Sequence, residues 1–303
     1  MRKGKIYCSV GITAHNEERN ILRLLRAIEK QKLKNVSITE IIVISSGSTD
    51  NTDRIVLRES RYDSRIKLIT QINRKGKASA VNLLVEKAKE DIVVLESADT
   101  VPLKNTIEHL VSPFFDKKIG ITGSHPVPVN KTESLTGYMV WMMWTLHHEI
   151  SLKDPKMGEV ICFRKKFEGI PILSAVDEVN IEALIKGQGY TAKYVPKAII
   201  KNKGPETVAE FISQRRRIYA GHMSAKKEYS YRVSTLGVTR IISLIFKKIL
   251  PSKEFRKHPI RNSIFTIFTI LTEMYSRWLG KRDYKRKIDH HIWKTAETTR
   301  NPV

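Results

Sequence analysis

The sequence is short of cysteine, of acid and of long apolar runs, and each shortage narrows what the chain can be. Its two cysteines, Cys8 and Cys162, both lie in apolar stretches that read as strands. Neither a disulfide framework nor a cysteine zinc site is expected from them. Asp and Glu together number 31 against 54 Lys and Arg, a formal net charge of +23 over 303 residues. A field of that sign draws polyanions, so nucleic acid, anionic lipid and phosphorylated substrates are the partner classes that charge admits. No run reaches the roughly eighteen uncharged apolar residues that a spanning helix needs, so membrane contact is expected to be peripheral. The first apolar run stops at His15-Asn16-Glu17-Glu18, which leaves no signal-peptide core, and a cytoplasmic location is the expectation. Glycine-rich phosphate motifs are missing too. No G-x-G-x-x-G spacing occurs, and Gly76-Lys77 lacks the upstream glycine and the following Ser or Thr of a Walker loop.

What remains is the composition of a folded globular protein, 41% hydrophobic and 28% charged. From residue 6 to about 124, short β-rich runs at 6–13, 40–45, 66–70, 92–95 and 119–122 alternate with amphipathic stretches. That alternation predicts βαβ units on a mainly parallel sheet. Ile21, Leu24, Leu25 and Ile28 recur at helical spacing, as do Ala78, Val81, Leu84, Val85 and Ala88, so each set should bury one helix face on the sheet. Further along, a helix is expected around Trp141, Trp144, His147 and His148, a strand at 159–163, a helix at 176–186, a strand at 191–195 ending before Pro196, and a helix from Glu206. The rest is basic and helical, with candidates at 235–250, 260–280 and 284–297.

In an open α/β sheet, ligands bind beyond the carboxyl ends of the strands. Here those ends are polar: Ala14-His15-Asn16-Glu17-Glu18 after the first strand, Ser45-Ser46-Gly47-Ser48-Thr49-Asp50 after the second, and Glu96-Ser97-Ala98-Asp99 after the fourth. The second cluster read alone is a strand-to-helix turn with an N-cap. The carboxylates of the third can hold magnesium or manganese, which take oxygen ligands and bridge to phosphates, though Asp99 also suits a helix N-cap. Three such clusters on one sheet tip the balance towards a ligand site.

In order and approximate spacing, these segments resemble the family 2 glycosyltransferases over residues 6 to 222. Residues 10–18 look like the family's opening strand and acidic turn. Ser45-Ser46-Gly47-Ser48-Thr49-Asp50 is similar to its Asp-Asp-Gly-Ser-Thr-Asp nucleotide loop, Gly76-Lys77-Ala78-Ser79-Ala80-Val81-Asn82 to the helix start whose basic residue faces donor phosphates, and Ser97-Ala98-Asp99 to its Asp-x-Asp metal motif. Asp177-Glu178, ahead of Gly187-Gln188-Gly189-Tyr190, is similar to the paired acids that include the catalytic base. Register favours Glu178 and leaves Asp177 open. Gln214-Arg215-Arg216-Arg217-Ile218 resembles the Gln-x-x-Arg-Trp motif with Ile218 in place of the tryptophan that binds glycan chains in processive relatives, which argues against a long polysaccharide product. Ser45, Ser46 and Ser97 stand where the family carries acids, so the base of the donor is open and Asp99 is left as the metal ligand.

The resemblance implies an α/β GT-A fold, a Rossmann-like mainly parallel sheet flanked by helices, over residues 1–230, with a basic helical appendage over 231–303. It implies inverting transfer from a nucleoside diphosphate sugar, helped by manganese or magnesium. Ala14, Asn16, Glu18, Ser46, Lys77, Ser97, Ala98, Asp99, Gln214, Arg215 and Arg217 are expected to bind the donor, with Asp99 on the metal and Glu178 or Asp177 as base. The appendage carries Ile264, Ile267, Phe268, Leu271, Tyr275 and Trp278 at helical spacing between cations. Such a helix suits either an anionic bilayer surface, with a membrane lipid or lipid-linked glycan as acceptor on the inner face of the cell membrane, or a cap on the catalytic domain. The competing readings are a catalytically degenerate nucleotide-sugar binder and a basic nucleic-acid-binding protein. The second lacks a stacking platform or recognition helix, and no nucleic acid is expected.

Overall fold

The computed structural model describes residues 4–231, 237–292 and 297–300. Its centre is an eight-stranded sheet in the order β3-β2-β1-β4-β7-β6-β8-β5, formed by β1 (Ile6–Ala14), β2 (Val36–Ser46), β3 (Ile66–Gln71), β4 (Ile92–Ser97), β5 (Val101–Pro102), β6 (Ile119–Pro128), β7 (Ile161–Arg164) and β8 (Thr191–Asn202). Strands β3, β2, β1 and β4 are parallel neighbours, and β7 breaks the run by pairing antiparallel with both β4 and β6. The sheet is therefore mixed. Its parallel half is near-continuously apolar because both faces are covered. One face packs against α1 (Ile21–Glu29) and α4 (Thr106–Val111), gathering Val10, Ile12, Leu24, Ile28, Ile41, Val43 and Leu110 into one core. The other packs against α3 (Lys77–Lys87) and α6 (Asp177–Gly187), with Ile42, Ile44, Val81, Leu84, Val93 and Phe163. Helix α2 (Thr52–Glu59) completes the crossover from β2 to β3.

Two expectations of the sequence are corrected. Strand β8 does not stop before Pro196. Its register against β6 jumps from Tyr194, opposite Gly123, to Ile199, opposite His125, and this bulge takes up the proline, which cannot donate to a ladder. Strand β7 starts at Ile161, which leaves Glu159 in the preceding loop.

The remaining helices lie beyond the sheet. Helix α5 (Leu135–Ser151) is capped by the Ser134 hydroxyl, which accepts from the Gly137 N–H at 3.1 Å. Helix α7 (Val208–Tyr229) opens on a Thr207 cap that accepts from Glu210 N–H at 3.2 Å. After it come α8 (Val238–Leu244), a π turn at Ile245–Ile249, the short α9 (Lys253–Arg256) and α10 (Pro259–Lys285). At 27 residues, α10 is about 40 Å long. Of the helix expected at 235–250, residues 235–236 lie outside the described residues. The helix expected at 284–297 does not form: α10 ends at Lys285, Lys287 turns left-handed at φ 56°, and 293–296 lie outside the described residues.

Helix α10 is inverted relative to an ordinary amphipathic helix. Its buried positions are Asn262, Thr266, Thr269, Thr272, Ser276, Leu279, Gly280 and Asp283, while Ile264, Ile267, Leu271, Met274, Tyr275 and Trp278 stand exposed. The buried stripe meets α7 and α5 through polar contacts. Tyr138 Oη and Thr266 Oγ1 are 2.9 Å apart, and Arg216 pairs with the buried Asp283. Arg215 forks onto Glu273 at 2.8 and 3.0 Å, and Arg277 donates to the same carboxylate at 2.8 Å. Burial would raise the Glu273 carboxyl, but the two guanidiniums overcome this and bring it down to about 2.

Small residues let the two helices close up. A Cβ on Gly280 would sit 2.6 Å from the Arg216 carbonyl oxygen. Gly280→Leu is expected to cost about 1–3 kcal/mol through overpacking, read as a lower denaturant midpoint, and an unchanged midpoint would contradict this contact. Glu273→Gln tests the ion cluster. A carboxyl held below its unfolded value stabilises the fold above that value and loses the contribution as pH falls towards the folded one. The stability gap between wild type and Glu273→Gln should be roughly 2 kcal/mol near neutrality and shrink from about pH 4.5 towards pH 2. A gap independent of pH would remove the pair from the helix interface.

Candidate active site

The carboxyl ends of β1, β2 and β4, the first turns of α3 and α6, the loop before β7, and helices α5, α7 and α10 surround one cavity of about 1060 Å³. Ala14, Ser46, Lys77, Ser97, Ala98, Asp99, Asp177, Glu178, Gln214, Arg215 and Arg217 all line it. The sheet and the tail thus share a single site.

Asn16 and Glu18, both expected at the donor, are not among the residues that line it. The turn after β1 runs left-handed through Asn16 at φ 55°, which Asn tolerates better than most residues, and its Oδ1 accepts from Thr49 N–H at 2.7 Å. The Glu18 carboxylate accepts from the Asn51 backbone at 3.0 Å and side chain at 2.9 Å, while Asp50 accepts from the Glu18 N–H at 3.1 Å. Both side chains tie the first loop to the second. Their neighbours His15 and Glu17 line the cavity instead, and His15 Nδ1 lies 2.8 Å from the Ser46 carbonyl oxygen.

Lys77 enters from the first turn of α3. Gly76 before it sits at φ 83°, where a Cβ would come 2.6 Å from the His291 carbonyl oxygen, so the segment after α10 crosses directly over this turn. The ammonium lies 3.1 Å from Asp177 Oδ2 and 3.3 Å from Ser97 Oγ, joining the end of β4 to the start of α6. Burial works against its charge, yet Asp177, Glu178 and Glu159 more than compensate and hold it above the ordinary lysine value.

The acids divide by partner. Asp177 is ion-paired to Lys77, whereas Glu178 forms no ion pair among the described residues. Burial, then the adjacent Asp177 charge, raises the Glu178 carboxyl against the pull of Lys156 and Lys77. Burial also raises Asp99, opposed by Lys77 and Arg23. Glu159 is pushed up to about 7 by burial and then by Asp99. Glu96 is fully buried behind the site, where Thr100 donates to it at 3.1 Å, and burial lifts it to about 8. Among the described residues, no group of three or more His, Cys, Asp or Glu side chains is arranged to hold a metal by itself.

The basic run of α7 is more committed than its sequence suggests. Arg215 is held by Glu273, and Arg217 Nη1 donates to the Ala175 carbonyl at 2.7 Å while its guanidinium senses Glu178, Asp177 and Glu159. Sequence reasoning missed Lys156, Glu159, His147 and His222, all of which line the cavity. For His222 a signal existed, since it lies seven residues after Arg215 on the same helical face. Lys156 and Glu159 sit in an irregular loop where periodicity says nothing.

Comparison with known proteins agrees with this arrangement. Over 255 residues the chain is 26% identical to the probable glycosyltransferase YdaM of Bacillus subtilis, covering 78% of this chain and 60% of that one. It is 26% identical over 224 residues to the poly-beta-1,6-N-acetyl-D-glucosamine synthase of Staphylococcus aureus, 70% of this chain and 54% of that one. It thus spans little more than half the length of these relatives. In fold it is similar to the mannosyltransferase PcManGT of Pyrobaculum calidifontis, solved in complex with GDP-Man and Mn2+, at a TM-score of 0.65 and 18% identity, covering 93% of this chain and 88% of that one. The mixed sheet with flanking helices and a helical C-terminal region is the expected GT-A arrangement. Residues 9–173 match the model of Glycosyl transferase family 2, and the chain belongs to that family.

Proposed function

We propose that the chain is a glycosyltransferase that moves a sugar from a nucleoside diphosphate sugar to an acceptor in one inverting displacement. The observation that carries this is the division of acids within one cavity: Asp99 beside Ser97 and Lys77, and Glu178 raised and, among the described residues, outside any ion pair at the start of α6. That Ala14, Ser46 and Ala98 at the strand ends line one cavity with Gln214 and Arg217 of α7 supports a donor bound there, as does the similarity to a fold solved with GDP-Man. Asn16 and Glu18 act on it indirectly, by holding the loop.

The Asp99 charge pushes the buried Glu159 carboxyl up, and a hard divalent ion such as Mn2+ or Mg2+ with oxygen ligands would relieve that repulsion. Asp99 would hold it, with a donor diphosphate supplying the ligands that the protein lacks. Such an ion, when bound, neutralises charge on the departing diphosphate. Lys77 adds a second positive charge there, and its bond to Asp177 fixes that carboxylate so that Glu178 is left to take the acceptor proton.

The exposed face of α10 supports a membrane-surface acceptor. Large apolar side chains cover it, with Ile260 81% and Met274 63% exposed, and Tyr275 and Trp278 stack at 5.9 Å near its end. Exposed cations flank the helix, Lys253, Arg256 and Lys257 before it and Lys281, Lys285, Arg286 and Lys287 towards or beyond its end. In a chain of formal charge +23, that pattern fits the headgroup layer of an anionic bilayer. Among the described residues, no helix is long and apolar enough to cross a membrane.

Asp99→Ala should abolish release of nucleoside diphosphate from UDP- or GDP-sugars with manganese while leaving the melting temperature near wild type; undiminished release would sink the donor assignment. Glu178→Gln should lower kcat by about 10²–10⁴. In wild type, activity should fall with acid through a pKa above the ordinary glutamate range, because the raised carboxyl must be ionised to accept a proton. An acidic limb at an ordinary carboxylate value would point to another base. Full-length protein should cosediment with anionic vesicles, less so in high salt, and Ile267→Asp with Leu271→Asp should release it. Equal binding of that variant would remove α10 from the membrane contact.

A further inference from the structure

Within the same cavity, buried nitrogen groups gather with few oxygen atoms to serve them. His147 of α5 and His222 of α7 are only 7% and 4% exposed, and both line the cavity. Among the described residues, neither ring nitrogen of His147, nor Nε2 of His222, has a hydrogen-bond partner. Lys156, 8% exposed, lies in electrostatic reach of both imidazoles, and its ammonium donates to the Met157 carbonyl at 3.2 Å. Arg215 adds to the positive field at His222. A buried polar group left unpaired costs about 1–3 kcal/mol, so two such imidazoles beside a buried ammonium call for a ligand that completes them.

The nearby protein acids do not fill that role. Glu182 is engaged by Tyr231 Oη at 2.6 Å and Met157 N–H at 3.3 Å, and Glu178 is near enough to Lys156 to share its field while leaving the imidazoles unpaired. An external anion with several acceptor oxygens matches the cluster, and phosphoryl oxygen is the group that Lys and imidazole N–H donors bind in this way.

The walls above the cluster are of the opposite kind. Met142, Met143, Ile241, Ile245, Ile270 and Met274 line the same cavity. Ile270 and Met274 are 37% and 63% exposed and belong to the outward apolar face of α10. The apolar wall is thus continuous with the surface assigned above to the bilayer.

We propose that this arm of the cavity binds the phosphate of a phosphorylated lipid, with Lys156, His147 and His222 holding phosphoryl oxygens and Met142, Ile245, Ile270 and Met274 lining the path of its hydrocarbon. This deepens the membrane-acceptor reading above and rests on it. A soluble phosphate ester would account for the imidazoles but not for the apolar wall that reaches the outer face of α10.

Titration calorimetry of the full chain with decyl phosphate, decanol and inorganic phosphate, each below its aggregation limit, tests the subsite. Decyl phosphate should bind about ten-fold or more tightly than either of the others, the scale of one charged hydrogen bond. His222→Phe and Lys156→Met, checked for folding by circular dichroism, should bring decyl phosphate down to the level of decanol. Equal binding of decanol and decyl phosphate by wild type would overturn the proposal without relying on any variant. Inorganic phosphate binding as tightly as decyl phosphate would overturn its lipid half and leave a site for free phosphate. A parallel titration of wild type with UDP and GDP plus manganese separates the two readings. Failure there removes the donor assignment, while the preference for phosphate over alcohol still decides the subsite.

Discussion

The contact between Lys77, Asp177 and Ser97 is the point on which the site hangs. The Lys77 ammonium, 3.1 Å from Asp177 and 3.3 Å from Ser97, holds the end of β4, the start of α3 and the start of α6 together. Buried charge is tolerated only when partnered, so this contact decides which acids around it are committed and which are available. Asp177 is committed. Glu178, one residue on, remains raised by burial and by its neighbour, and Asp99 and Glu159 sit as a second acidic pair in the same cavity. The division of labour proposed for the reaction follows from that electrostatic imbalance more than from the identity of any one residue.

The same logic explains why the tail is built with its polar side inwards. Helix α10 buries Thr, Ser, Asn and Gly inwards, and Arg215 and Arg216 of α7 fix its position through Glu273 and Asp283. Two consequences meet here. The basic run of α7, which by sequence looks free for phosphates, is partly occupied in docking α10, and the large apolar residues of α10 are turned outwards beside the cavity mouth. A helix that seals the site on one side offers an apolar surface on the other.

Much of the fold was legible because period and polarity agreed: β1, β2 and β4 are buried on both faces and the helices between the strands on one, and their residues say so. The miss at β8 came from reading Pro196 as a stop when a register shift absorbs it. At the site, Lys77, Asp99, Asp177 and Glu178 could be found because they sit at strand ends or helix starts, where spacing carries information. The ties of Asn16 and Glu18 to the second loop could not be read, because they depend on a left-handed turn that is invisible in the sequence. Lys156 and Glu159 were missed because their loop has no period, and the inversion of α10 could not be read because an apolar stripe is equally consistent with facing in or out.

The central claim, a single displacement assisted by Glu178 in a cavity that holds donor and acceptor together, is tested most directly by the anomeric configuration of the product. With an α-linked nucleotide sugar as donor, proton NMR of the newly formed linkage should show the β anomer from the first turnover. A product that keeps the α configuration would contradict direct displacement and the role given to Glu178.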